Sequence, residues 1–147
     1  MFRGSSSHSC DPKGRLIVPS RFRDVIQAGG GDGLIITTGT TPSLSAYTYD
    51  EWSVVEKRMA ESRSPNSSVI RRFFLGNAQD CPCDKQGRIL LPKNLRSYAN
   101  IDKDLMLVGL VDRFEIWSMD TWESENQKII ESLKTGEFKN ELADLGL

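Results

Sequence analysis

Two stretches of this chain combine charge, a tight turn and an apolar run in one order. DPKGRLIVPSRFR spans Asp11 to Arg23, and DKQGRILLPKNLR spans Asp84 to Arg96. In each, an arginine follows a turn glycine, Arg15 after Gly14 and Arg88 after Gly87. A guanidinium is a planar fork of donors, so it can grip a phosphate, or the O6/N7 edge of a guanine, bidentately. The same spacing allows a second use, an internal ion pair to Asp11 or Asp84 that pins the turn. Spacing alone leaves both readings open. Lys13 stands at the tip of the first turn, where a phosphate contact is plausible and simple solvation is common. The second copy has Gln86 there and carries its charge one position earlier, on Lys85. Arg21, Arg23, Lys93 and Arg96 fall on short helices, and Arg23 and Arg96 coincide between copies, which suits structural pairing as well as binding.

Other chemistry finds less support. His8, Cys10, Cys81 and Cys83 form two pairs, His8 matching Cys81 and Cys10 matching Cys83 when the chain is laid on itself. Cys3His is a valid zinc set, but these spacings are tighter than the usual C-x-x-C. The competing reading is that the cysteines are small buried hydrophobes. No metal and no cofactor is assigned. With one histidine in the chain, a nucleophile–base array would depend wholly on His8 in a serine-rich terminus. No phosphate-cradling or dinucleotide loop is present, and the chain is not expected to be an enzyme.

The elements that must position these residues come from a repeat. Shifted by 73 positions, Asp11 meets Asp84, Gly14-Arg15 meets Gly87-Arg88, Pro19 meets Pro92 and Arg23 meets Arg96. Leu34-Ile35-Ile36 then resembles Leu105-Met106-Leu107, and Tyr49-Asp50-Glu51-Trp52 echoes Met119-Asp120-Thr121-Trp122. The chain divides into half-units at 1–62 and 75–135, a linker and connecting segment at 63–74, and an acidic tail at 136–147. Each half predicts a tight turn and a short buried strand, Leu16-Ile17-Val18 or Ile89-Leu90-Leu91. A proline then opens a short helix, with Ser20 a possible cap. A hairpin closes at Gly39–Ser43 or Gly109–Arg113, and Asp50 or Asp120 caps an amphipathic helix. Neither half holds enough apolar residues for its own core. One intertwined β-barrel with outer helices is therefore expected. Trp52, Trp117 and Trp122 read as core or interface packing rather than base-stacking platforms.

Charge is unevenly spread. The net charge is −1, a weak argument against nucleic acid. Yet residues 1–24 carry a net +3, residues 84–96 another +3, and residues 120–147 a net −4. Local potential governs the docking of a polyanion. No apolar run suggests a membrane span. The absence of a signal-type apolar segment and the odd cysteine count predict a reducing cytoplasm.

The opening MFRG, the two Asp-x-x-Gly-Arg turns, LMLVG and RFEIW resemble the MraZ family of bacterial transcriptional regulators over residues 1 to about 125. The resemblance implies an α+β protein with an AbrB-like swapped-hairpin β-barrel, built from two pseudo-symmetric half-units with peripheral helices. It implies a nucleoid-associated, sequence-specific DNA-binding protein. Such a protein forms ring-like homo-oligomers and binds direct repeats in double-stranded promoter DNA, mainly to repress the division and cell-wall gene cluster. It adds Arg3, in the shared opening, to the DNA-facing candidates Lys13, Arg15, Lys85 and Arg88, and it favours the DNA reading of Arg15 over the internal pair. Cys10 and Cys83 depart from the apolar residues expected there. The alternative is an AbrB-like, antitoxin-type module that binds protein and has no promoter target.

Overall fold

A computed structural model describes residues 1–147. In chain order the elements are β1 (Ser5–Ser9), β2 (Arg15–Ile17), α1 (Ser20–Gln27), β3 (Gly33–Thr38), β4 (Leu44–Thr48), α2 (Tyr49–Glu61), α3 (Ser67–Phe74), β5 (Gln79–Pro82), β6 (Arg88–Leu90), α4 (Lys93–Tyr98), β7 (Asp104–Gly109), β8 (Phe114–Ser118), α5 (Met119–Lys134) and α6 (Lys139–Asp144). The fold is mixed α+β. A six-stranded antiparallel sheet runs β1-β7-β8-β4-β3-β5, and β2 and β6 form a separate two-stranded ribbon.

The two copies of the repeat exchange strands. β1 of the first copy pairs with β7 of the second, and β5 of the second pairs with β3 of the first. The ribbon is likewise shared, one strand from each copy. The core between sheet, ribbon and helices collects Leu16, Phe22, Ile26, Leu34, Ile36, Ile89, Leu95, Leu105, Leu107, Phe114 and Ile116, all nearly inaccessible. Phe2 anchors the N-terminus in it. Its ring lies 5.2 Å from Phe22 and 5.1 Å from Phe114, edge-on to both, and its backbone bridges Val111. Burial and edge-to-face packing together make such a cluster a strong anchor.

Several local expectations are corrected. The helix caps are Thr48 and Ser118, not Asp50 and Asp120. The Thr48 hydroxyl accepts from the Glu51 N–H and the Ser118 hydroxyl from the Thr121 N–H, each at 3.2 Å. The aspartates sit inside the first turn, where a carboxylate meets the positive end of the helix dipole. Ser20 is the first helical residue of α1, and Pro19 holds the cap position without a side-chain bond. The two apolar triplets are only partly buried. Leu16, Val18, Ile89 and Leu91 face the core, while Ile17 and Leu90 alternate outward at 62% and 53% exposed, as the two-residue period of a strand requires.

Part of the connecting segment is helical. α3 is docked by the buried Thr37 and Thr38, whose hydroxyls donate to the carbonyls of Phe74 and Phe73 at 2.6 and 3.2 Å. Arg71 in turn donates to the carbonyls of Met59 and Ala60 at 3.0 Å, satisfying the end of α2. Trp52 and Trp117 are buried, and Trp117 packs edge-on against Trp122 at 6.0 Å between centroids. No helix is long and apolar enough to cross a membrane.

Candidate nucleic-acid interface

The two Asp-x-x-Gly-Arg turns have the same construction. Asp11 Oδ1 accepts from the N–H groups of Lys13 and Arg15 at 3.0 and 2.9 Å. Asp84 Oδ1 accepts from those of Gln86 and Arg88 at 2.9 and 2.8 Å. The chain closes through Gly14 N–H to Asp11 O at 2.9 Å and Gly87 N–H to Asp84 O at 3.0 Å. Both glycines have positive φ, +91° and +80°, the region where a side chain is strained. The aspartate's carboxylate ties the backbone of the turn together, and the glycine supplies its left-handed residue.

The second carboxylate oxygen holds the arginine. Arg15 Nε lies 2.6 Å from Asp11 Oδ2, and Arg88 Nε lies 2.8 Å from Asp84 Oδ2. Both pairs are partly solvated. The internal ion pair is therefore real at both turns. It is made through Nε, which leaves the Nη1–Nη2 edge for a further acceptor. A guanidinium held in this way has already lost much of the rotamer freedom that a contact would otherwise cost. The backbone N–H of Arg15, then its side chain, hold the Asp11 carboxyl below the usual carboxylate range. Asp84 is lowered chiefly by the Arg88 N–H.

Each turn is braced by the other copy. Leu91 N–H donates to Gly14 O at 2.8 Å, and Val18 N–H donates to Gly87 O at 2.9 Å. Arg96 lies over Gly14, donating to Leu91 O at 3.0 Å and Lys13 O at 3.5 Å. Arg23 lies over Gly87, where an added Cβ would fall 2.6 Å from its Nη1, and it pairs with Asp32 at 3.4 Å. The coincidence of Arg23 and Arg96 between copies therefore has a structural cause: each clamps the opposite turn.

The ribbon brings Arg15 and Arg88 together. In its register Arg15 faces Leu90 and Ile17 faces Arg88. These four residues share the outward face, with the arginines on one diagonal. Lys13 and Lys85 are exposed on the adjoining turns. Arg3 is exposed at the other end of β1 from the first turn, beside the β7–β8 connection, where Phe2 pairs with Val111. It does not join the first turn. Ile17 and Leu90 are the members of this face that sequence reading missed, and strict alternation along each triplet was the signal that marks them.

The histidine and cysteines do not converge, and no three His, Cys, Asp or Glu side chains lie together in a metal-binding arrangement. The His8 ring bonds the Ser6 hydroxyl at 2.8 Å on the edge strand. Cys10 and Cys81 are buried in the core. Burial pushes the Cys81 thiol up to about 12 and the Cys83 thiol to about 11. Both are protonated at neutral pH, and neither is a ready nucleophile.

The face as a whole is a basic, two-stranded ribbon raised on a mixed α+β core. Comparison with known proteins is more specific. The MraZ family model, whose description calls it antitoxin-like, matches residues 1–72 and 74–142. The chain belongs to the MraZ family. It is 50% identical over 147 residues to the transcriptional regulator MraZ of Desulforapulum autotrophicum, covering 100% of both chains. It is 43% identical over 149 residues to that of Desulfosudis oleivorans, again covering 100% of both. It is 40% identical over 149 residues to that of Alkaliphilus metalliredigens, with the same coverage.

Proposed function

We propose that this chain is a sequence-specific regulator that binds double-stranded DNA through the outward face of the β2–β6 ribbon. The observation that carries the reading is the pair of aspartate-held arginines on that face, each with a guanidinium edge left for an acceptor. A two-stranded ribbon fits the major groove of B-DNA, about 12 Å wide, and not the minor groove, about 6 Å wide. Arg15 and Arg88 grip guanine edges, while Lys13 and Lys85 hold flanking phosphates. Arg3 contacts the backbone away from the first turn. Full-length relatives named as transcriptional regulators support the same reading.

In this reading the architecture is the AbrB-like swapped-hairpin barrel of half-units 1–62 and 75–135, joined by 63–74 and followed by the tail 136–147. Strand exchange between the copies supports it. Copies assemble head to tail into a ring in the cytoplasm, at the nucleoid. Ring neighbours share one orientation and so meet direct repeats, and occupancy of a promoter represses the division and cell-wall gene cluster by blocking polymerase. Light scattering that gives a monomer across micromolar concentrations would remove the ring. An antitoxin-type, protein-binding role is the second reading. It is favoured by the family description and by the exposed apolar residues Ile129, Ile130 and Leu133 along α5.

The test is binding to a duplex enriched by this protein from a random-sequence pool, and to its scrambled form, across a salt series. Arg15→Ala should remove the preference for the enriched duplex, costing about 1–3 kcal/mol per engaged subunit and multiplied by avidity in a ring. Lys13→Ala should weaken both duplexes alike and reduce the salt slope by about 0.9. Selective binding by a folded Arg15→Ala would make Arg15 a turn brace only.

A further inference from the structure

The ribbon's outward face holds two apolar side chains that the core does not use. Ile17 is 62% exposed and Leu90 53% exposed, although their chain neighbours Leu16, Val18, Ile89 and Leu91 are all buried. A single exposed leucine is ordinary on a protein surface. The placement here is not isolated. Ile17 stands directly across from Arg88 and Leu90 directly across from Arg15, so the two apolar groups occupy one diagonal and the two arginines the other. Directly opposed side chains on a ribbon have Cβ atoms about 5 Å apart, and diagonal ones about 7–8 Å. Each arginine therefore carries an apolar side chain as its direct cross-strand neighbour.

We propose that Ile17 and Leu90 are specificity-determining residues that read thymine C5-methyl groups in the major groove, beside the bases gripped by Arg88 and Arg15. The inference rests on the duplex reading above. Its occupant follows from charge and shape together. The face carries Arg15 and Arg88 and is flanked by Lys13 and Lys85, and the aspartates of the turns, Asp11 and Asp84, are already engaged by the arginines. A polyanion is the partner that such a rim selects. Among the groups that a base pair shows in the major groove, the thymine methyl is the apolar one, and contact with it by apolar side chains is an established way of reading sequence. A phosphate-only contact would have no use for two apolar groups interleaved with the arginines on one face.

The experiment removes only the methyl. In the duplex enriched from a random-sequence pool, each thymine is replaced in turn by deoxyuridine, and affinity is measured for the full chain, for Ile17→Ala and for Leu90→Ala. The wild type should lose about fourfold for each thymine read, the scale of one buried methyl-sized group. Ile17→Ala should bind the thymine duplex more weakly and no longer distinguish deoxyuridine at one set of positions, and Leu90→Ala should do the same at another. Equal binding of thymine and deoxyuridine duplexes by the wild type overturns the inference. So does a wild-type thymine preference that survives unchanged in both variants. The wild-type comparison needs no substitution, so it remains decisive even if a variant folds poorly. A pool that yields no enriched duplex overturns the duplex reading and this inference with it, whereas enrichment without a methyl effect overturns the inference alone.

Discussion

Asp11 organises its turn before Arg15 can act on anything outside it. Its carboxylate takes two backbone N–H groups and one guanidinium Nε, so it holds the arginine by the inner edge and presents the outer one. The charge state of Asp11 therefore controls the geometry of the turn and the placement of Arg15. Its carboxyl is held below the ordinary 3.8, first by the Arg15 backbone N–H and next by the Arg15 side chain. A depressed acid contributes stability that is complete above the unfolded value and is lost as pH falls through the folded one. The turn should thus be fully ordered from neutral pH down to about 4, and loosen only below that. The amide resonances of Lys13 and Arg15, followed through an acid titration, should shift with a midpoint below 3.8. A midpoint at or above that value would mean that the Asp11 contacts do not form in solution.

At the scale of elements, the ribbon and its two turns form one unit built from both copies. Gly14 is pressed by the opposite copy, since an added Cβ would fall 2.7 Å from both Leu91 O and Arg96 Nε, with φ at +91°. Gly14→Ala should therefore destabilise the protein by about 1–2 kcal/mol from the left-handed backbone alone, and further where Leu91 O, a backbone atom, cannot give way. Lys13→Ala, one residue earlier and exposed, should leave the melting temperature nearly unchanged. Equal melting of the two variants would show that the turn is not packed against the second copy. Sequence placed these turns correctly, because Asp and Gly at fixed spacing have a local conformational preference that needs no partner. It did not place the caps, because Thr48-Tyr49-Asp50 offers two side chains able to cap and only the backbone path selects the hydroxyl. It also could not say which strand pairs with which. β2 and β6 come from near-identical stretches, so pairing within a copy and pairing across copies satisfy the same pattern. An apolar triplet taken as a block predicts burial of Ile17 and Leu90, whereas the strand alternates and turns both outward.

For the whole molecule, the net charge of −1 conceals a basic ribbon face and an acidic C-terminal stretch. The candidate site was legible as a set of charged turns but not as a face, because a face exists only once two distant stretches share a ribbon. Arg15 and Arg88, 73 positions apart in sequence, become diagonal neighbours only through the β2–β6 register. In the proposed binding mode this face enters the major groove. Dimethyl sulfate methylates guanine at N7 in the major groove and adenine at N3 in the minor groove, so interference by each modification reports the groove directly. On the duplex enriched by the wild type, N7 methylation at a small set of guanines should block binding. Arg15→Ala should lose part of that pattern. Interference confined to adenine N3, or selective binding indifferent to every guanine N7, would contradict entry of the ribbon face into the major groove.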